Sequence, residues 1–445
     1  MAAAITNETL KQINFWRQYR NPNDVPLSIR DAARIYRTFP YTPPTPAPAG
    51  APRNITTDPS PDDPDVVVPL GQVFRDFIGK TIAGIPVDPA YWKGRKFLGS
   101  GGTAMAGLWE WDGPPEKMPG YTQVVVKELQ PGHYTDAIYN ESIFLTATYY
   151  TGSHIVKMLH PAYALCQGAM EGLDDEWDGV YIRMFQEYCS LGSLEQLLMR
   201  RIDLQKPFKE TTLWIILNCL VDGLMALEFG SEDPNQPFAD WVPIVHLDLK
   251  PDNVMLAEIQ DGLHSLPILK LIDFGSAGFI DPNNPPSDED LERWRLMGTE
   301  DYYTPEQFTE EWDFKDFKAS KIAGAYGPCT NVWGIGVIMF QLLTLSNNPP
   351  DHKQPFLPQS SAGNSDGILN GAPAVGNTYG NDMRAYSYSK SLVDTIFECL
   401  YETPGLRPSI AGLKQRIGDG FALSMQLQDP SIFEQYEDLA RPEPI

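Results

Sequence analysis

From Tyr91 to about Gln186 the apolar residues fall in short alternating runs broken by Gly and Pro, the pattern of β-strands. One such run, "TQVVVKEL", sends Lys127 and Glu128 to opposite faces, because successive strand side chains alternate. Glu128 therefore cannot neutralise Lys127, and the nearest other carboxylate is Glu141 in "YNESIFL", which reads as an amphipathic helix. Beyond about Leu194 the apolar runs lengthen and turn helical. "LWIILNCLVDGLMALEF", Leu213 to Phe229, is interrupted by Asn218 and Asp222, and "VWGIGVIMFQLLTL", Val332 to Leu345, falls short of the roughly 20 residues that span a bilayer. Both are expected to be core helices, so the pattern predicts an α+β chain: a β-rich lobe over 91–187 followed by an α-rich lobe over 190–420, with 421–445 as a tail. No internal repeat is present.

Residues 1–90 form an extension outside this pattern. The first forty have helical patches and carry Lys11, Arg17, Arg20, Arg30, Arg34 and Arg37 against Glu8, Asp24 and Asp31, a sign opposite to that of the whole chain. They are suited to dock on an acidic body. Thr42 to Asp65 is proline-rich with almost no large apolar residue, which makes 42–65 an extended spacer whose PxxP spacing also suits an SH3-type partner.

Composition narrows the function. The 445 residues, 42% hydrophobic and 21% charged, suffice for two or three globular domains, while 40 prolines and 36 glycines call for long loops. A formal net charge of -24 repels polyanions, so neither nucleic acid nor an anionic membrane is expected as partner, and basic peptides are favoured. The five cysteines are odd in number and form no CxxC pair, which indicates neither a disulfide framework nor a zinc site. The N-terminus lacks a signal-peptide core, so the sequons at Asn7 and Asn54 read as accidental and the expected location is intracellular, cytoplasmic and/or nuclear.

Three stretches carry chemistry. In "FLGSGGTAMAGLW", Gly99, Gly101 and Gly102 allow a tight hairpin whose backbone N–H groups approach phosphate oxygens. In "IVHLDLKPDNVML", Asp248 can accept the proton of an attacking hydroxyl, Lys250 can neutralise charge on a phosphoryl group, and Asn253 offers an oxygen to magnesium. In "LKLIDFGSAG", Asp273 ends an apolar strand as a hard oxygen ligand for magnesium. Either Asp taken singly is an ordinary turn or cap residue. In this order, behind Lys127 and the glycines, the set is not ordinary.

These motifs resemble the eukaryotic protein kinase family over Tyr91 to Gly420: the glycine loop, "VVVK", "HLDLKPDN", "DFG", and further on "GTEDYYTPE" and "PGLRPS". The resemblance implies the two-lobed kinase fold with ATP between the lobes, and ATP and magnesium as cofactors. It implies that Lys127 contacts phosphates and pairs with Glu141, that Asp248 is the catalytic base beside Lys250, and that Asn253 and Asp273 hold metal. Leu98, Gly99, Gly101, Gly102, Ala106, Val125 and Met255 would enclose the nucleotide. In "MFQEYC", Gln186 would be the gatekeeper, with the backbone of Glu187 and Cys189 facing adenine. Thr299 would line the substrate loop, and Glu306 would pair with Arg407. Lys250, two residues after Asp248, is the serine/threonine pattern, so the implied activity is phosphorylation of serine or threonine in protein substrates, basic ones included.

Several positions depart from the family. Thr103 and Ala104 replace the loop's aromatic tip and third glycine. Ala106 and Val125 exchange the usual volumes of the adenine roof, a swap that preserves the packed total. Asn331 stands for an Asp that buttresses the catalytic loop, keeping an acceptor but losing charge assistance worth about 1 kcal/mol. These departures leave open a catalytically weak pseudokinase scaffold; a small-molecule phosphotransferase would lack "GTEDYYTPE" and the partner of Arg407. Arg34 and Arg37 precede Thr38, so the N-terminal segment reads either as a basic tail or as an occupant of its own substrate groove beside Asp252. Leu247 replaces the Arg that grips a phosphate on the activation segment. That segment is already acidic at Asp288, Glu289, Asp290 and Glu292, so activity is expected to be independent of its phosphorylation, unless Arg293 or Arg295 supplies the grip.

Overall fold

The computed structural model describes residues 91–100, 104–117, 121–129, 136–166, 180–233, 235–258, 267–356, 368–369, 372–373, 376–380, 383–425 and 439. The N-terminal extension with its 42–65 linker, Thr38 and both sequons, the loop residues Gly101, Gly102 and Thr103, and the tail beyond Met425 apart from Leu439 lie outside the described residues. Two compact units divide the rest, one up to Tyr149 together with Val156–Tyr188, the other comprising Tyr150–Ile155 and the chain from Cys189.

The first unit contains β1 (Trp92–Ser100), β2 (Ala104–Trp111), β3 (Gln123–Leu129), α1 (Asp136–Ala147), β4 (Met158–Cys166) and β5 (Val180–Gln186). The strands form an antiparallel sheet of order β1-β2-β3-β5-β4, with α1 packed on β4 and β5. Register places the candidate residues. Directly opposed residues share a face, so the rows Ala106–Lys127–Met184 and Leu108–Val125–Gln186 lie side by side on one face. Val124 and Val126 take the other face and are fully buried. Helix α1 differs from the amphipathic expectation: Asn140 through Leu145 are all buried, so more than one of its faces is covered.

The second unit is mainly helical. It begins with α2 (Leu194–Asp203), opened by a capping box in which Ser193 Oγ accepts from Gln196 N–H, and α3 (Glu210–Phe229), closed by Gly230 at φ +71°. Short antiparallel pairs follow, β6 (Ile244–Val245) with β9 (Gly278–Phe279) and, between them in the chain, the hairpin β7 (Val254–Ala257) with β8 (Ile268–Leu271). Then come α4 (Asp288–Arg295), α5 (Pro305–Phe308) and α6 (Pro328–Thr344). The two-stranded pairs β10 (Lys353–Phe356) with β13 (Gly376–Tyr379) and β11 (Ile368–Leu369) with β12 (Ala372–Pro373) precede α7 (Lys390–Cys399) and α8 (Ile410–Met425). Both long apolar runs are core helices: α3 is long and apolar enough to cross a bilayer, yet most of it is buried against α6, α8 and β8.

Tyr150–Ile155 joins the second unit through specific bonds. Ser153 N–H and His154 N–H donate to Glu232 Oε1 at 2.6 and 2.7 Å, the His154 ring lies 3.0 Å from the same oxygen, and Leu271 N–H donates to His154 O at 2.8 Å. Burial alone would lower the His154 pKa, but the neighbouring Cys219 and Glu232 side chains outweigh it and push the imidazole up to about 10.

Candidate active site

The candidate residues fall into two sets, one in each unit. In the first unit Lys127 projects from β3 and its Nζ meets Glu141 Oε2 at 2.5 Å. Glu141 is 1% exposed, and its other oxygen, Oε1, accepts from Gln186 Nε2 at 2.9 Å. Ala106 and Val125 stand on the same face as Lys127, both half-buried, while their neighbours Gly107 and Val126 are fully enclosed. Leu98 and Gly99 are half-buried on β1. A Cβ at Gly99 would meet nothing within 4 Å, and its φ is not left-handed, so neither packing nor conformation demands glycine there. Glu187 N–H is committed to Lys157 O at 2.9 Å; Cys189, which belongs to the second unit, is buried.

In the second unit Asp248 is the hub. Its Oδ1 accepts from Thr299 Oγ1 at 2.8 Å, Lys250 Nζ lies 3.3 and 3.1 Å from its two oxygens, and Asn253 Nδ2 donates to its Oδ2 and to its backbone O, both at 2.8 Å. Lys250 Nζ also donates to Thr299 Oγ1 at 2.5 Å. Asn253 lies five positions after Asp248, and the one-turn helix Pro251–Asn253 folds that interval so the amide reaches back. Asn253 O accepts from Ile272 N–H at 3.0 Å, which sets Asn253 beside the start of the Asp273 turn at one end of the β7–β8 hairpin. Met255 is half-buried on β7, between Val254 and Leu256, which are buried.

Backbone strain sits here. Leu247 and Asp273 adopt φ +61° and +62°, a left-handed conformation costing of order 1–3 kcal/mol for a side-chain-bearing residue. Leu247 is 7% exposed, in a cluster with Val245, Trp294, Trp312, Ala323 and Tyr326. Its burial is worth about 1.5–3 kcal/mol, enough to offset the strain.

Two supporting residues had no role assigned from the sequence or a different one. His246 is 0% exposed; its Nδ1 accepts Asp248 N–H at 3.3 Å while Nε2 lies 2.9 Å from Ile272 O. Those partners require the neutral ring with the proton on Nε2, and burial, opposed by Asp248, holds its pKa below 6.5. The sequence shows only a histidine in an apolar run. Asn331, on α6, uses both halves of its amide: Oδ1 accepts His246 N–H at 2.9 Å and Nδ2 donates to Ile244 O at 2.7 Å. The expectation that Asn331 merely loses charge is incomplete, since its second bond is one that a carboxylate cannot make.

Farther along, Arg407 grips Glu306 through two parallel 2.8 Å bonds, with both side chains fully buried. Thr330 Oγ1 also donates to Glu306 at 2.9 Å. Gln307 Nε2 donates to Trp294 O and Met297 O, both at 2.8 Å, and so pins the end of α4 ahead of Thr299.

Known proteins share this sequence pattern. The family described as "Protein kinase domain" matches residues 123–416. The G2-specific protein kinase nim-1 of Neurospora crassa is 24% identical over 246 residues, 52% of this chain and 24% of that protein. The serine/threonine-protein kinases ULK3 of Xenopus laevis and ATG1 of Pichia angusta are each 28% identical, over 43% and 36% of this chain and 31% and 20% of their own lengths. The matched segments span less than a third of each of these relatives. The chain belongs to the protein kinase family, and its sheet-rich unit followed by a helical one is that family's two-lobed α+β fold.

Proposed function

We propose that the chain is an ATP-dependent protein kinase that transfers the γ-phosphate to serine or threonine of protein substrates, with magnesium as its metal. The observation that carries this reading is the Asp248 carboxylate, fixed by Lys250, Asn253 and Thr299 at 2.8–3.3 Å. A carboxylate so held is pre-positioned to orient a hydroxyl and accept its proton. Lys250, bonded to both Asp248 and Thr299, places an ammonium at the same point, where charge on a transferred phosphoryl group would be neutralised. Lys127, aimed by Glu141, is suited to phosphate oxygens, and the open space at Gly99 suits close approach of a phosphate to backbone.

The donor set also fits magnesium. Asn253 Nδ2 donates twice to Asp248, which turns the amide oxygen away from that carboxylate, and Asp273 supplies a second hard oxygen near the same hairpin end. Magnesium bound there would neutralise phosphate charge. Substrate preference is read from charge: Asp252, Glu300 and Asp301 are exposed around the Asp248 loop in a chain of net charge -24, which favours basic peptides.

The test is transfer from labelled ATP to a randomised peptide library in magnesium. The parent is expected to label serine or threonine. Asp248→Asn should lower turnover roughly 10²–10⁴-fold with nucleotide affinity kept, and Asp273→Asn should weaken magnesium-nucleotide binding. Nucleotide binding by the parent without transfer would establish the scaffold reading instead, and equal turnover in the Asp248 variant would refute the mechanism.

A further inference from the structure

Glu141 is held from two sides, and only one of them is the lysine. Gln186 ends β5, is 7% exposed, and sits in the row adjacent to that of Lys127 on the same face of the sheet. Its Nε2 donates to Glu141 Oε1 at 2.9 Å while Lys127 Nζ takes Oε2 at 2.5 Å. The amide can present only its N–H₂ edge to a carboxylate, because its oxygen there would meet like partial charge. The other acceptor near Nε2 is Met184 Sδ at 3.9 Å, a weak one. Across the sheet Gln186 is flanked by Val125 and Met158, both apolar, and Glu187 turns its own carboxylate to Lys157 N–H at 2.8 Å. The titratable groups that bear on Gln186 among these neighbours are therefore Glu141 and, through it, Lys127.

We propose that Gln186 is a positioning residue for the Lys127–Glu141 pair. With one donor on each oxygen, the Glu141 carboxylate cannot rotate about its Cγ–Cδ bond or slide along the lysine. The plane of the carboxylate, and with it the location of the Lys127 ammonium, is set by a strand of the same sheet that carries the lysine. Helix α1 is then anchored in its pairing arrangement from within this unit. A side chain at position 186 that lacked the donor would take away the restraint that β5 places on Glu141 Oε1, and the ammonium would be held less closely. The kinetic arm of the test rests on the proposed kinase reading; the chemical arm does not.

Two variants test it. Gln186→Met removes the donor at nearly constant volume. It should raise KM for ATP about tenfold with a smaller change in kcat, since a hydrogen bond to a charged group is lost. Gln186→Glu places a second carboxyl against Glu141, and two such groups share one proton rather than ionise together. When that proton is bound the bridge is rebuilt as O–H···O⁻, so kcat/KM should approach the parent near pH 5.5 and fall about tenfold or more below it by pH 8, a slope that parent and Gln186→Met do not show. Independently of activity, the rate at which acetic anhydride labels Lys127, read by mass spectrometry, should rise several-fold in Gln186→Met with the melting midpoint near the parent's. If the parent transfers no phosphate but Lys127 labelling changes, the kinase reading fails and the positioning role stands. If the Lys127 labelling rate is unchanged in Gln186→Met, or if the parent is active and the Gln186→Glu pH profile parallels the parent's, the positioning role is overturned.

Discussion

Asn331→Asp is the most informative single change in this chain, because it restores the residue that the family resemblance leads one to expect and should nevertheless do harm. The amide of Asn331, 2% exposed, accepts His246 N–H at 2.9 Å and donates to Ile244 O at 2.7 Å. The substitution keeps shape and the first bond, strengthened by charge. It removes the second and leaves two oxygens facing at the former donor–acceptor distance. Leaving a buried acceptor unsatisfied costs about 1–3 kcal/mol, and the charge assistance regained at His246 N–H returns about 1 kcal/mol at most. The alternative is for the introduced carboxyl to keep its proton and donate it to Ile244 O, which rebuilds both bonds.

Its folded pKa therefore lies above the unfolded value near 3.9. A carboxyl whose pKa is raised on folding costs nothing below the unfolded value. Its penalty grows as pH rises to the folded value, by about 1.4 kcal/mol for every pH unit that separates the two. Urea unfolding of parent and variant at pH 5 and pH 8 measures this directly. The expected result is a deficit of about 1–2 kcal/mol at pH 8 that shrinks clearly at pH 5, with kcat reduced at pH 8 because His246 and Asp248 sit on the loosened segment. Equal stability at pH 8, or a deficit that is the same at both pH values, would refute the reasoning.

Other consequences follow from the same geometry. Ser287 Oγ caps α4 and donates to Asp290 at 2.7 Å, so Ser287→Ala would cost about 1 kcal/mol of helix stability through the cap alone. Ser287→Asn keeps an acceptor there, and both it and phosphatase treatment should leave turnover within about twofold of the parent; a large drop in either would show a phosphate switch. Arg407→Ala should destabilise by about 3–5 kcal/mol, because Glu306 would be left charged in a fully buried site, and Arg407→Lys should recover only part of that because it cannot make the parallel fork; a melting midpoint equal to the parent's in either variant would contradict this. Two histidines should shape the pH dependence of stability on either side of pH 6.5. Below that value the unfolded chain protonates a histidine that His246 keeps neutral, and above it the support from His154, whose pKa rises to about 10, is progressively lost. Glu232→Gln should flatten the alkaline limb, and an unchanged limb would remove His154 as its cause.

The geometry of the site was legible where it is local. Asp248, Lys250 and Asn253 are close in sequence and one helical turn brings them together, so their spacing already states their geometry. Alternation along β3 showed that Lys127 needed a partner other than Glu128, and Glu141 is where the structure supplies it. What stayed hidden is long-range. No local pattern tells that Gln186 reaches Glu141 across 45 residues, or that Asn331 spans to Ile244 across 87. Helix α1 is not amphipathic as expected, because Asn140, Glu141 and Ser142 look solvent-facing until their partners are known. Glu141 is bonded to Lys127 and Gln186, and Ser142 Oγ lies 3.5 Å from Met158 Sδ.

Leu247 is the residue on which local and long-range effects meet. Its left-handed backbone is a poor conformation for leucine, and it follows His246 and precedes Asp248 directly. The strain is tolerated because the side chain enters a cluster to which the segment after Asp273 contributes Trp294: that ring, 1% exposed, packs edge-on to Tyr326 at 5.6 Å and fills the space above Gly278, where a Cβ would collide with it. Gly298, at φ +92°, lies so close to Leu247 O that no side chain would fit. Of the two arginines weighed as an alternative grip, Arg293 lies 3.2 Å from Asp290, the carboxylate that also accepts from Ser287 Oγ, and Arg295 lies over the Trp312 ring at 5.1 Å. Attraction between Leu247 and Trp294 is not screened by salt and needs no modification to switch it on. An arginine placed at 247 without changing Trp294 would bury its charge among aromatic rings, so the exchange of arginine for leucine and the presence of tryptophan at 294 are one structural choice, in which apolar packing holds the segment that carries Thr299 to Asp248.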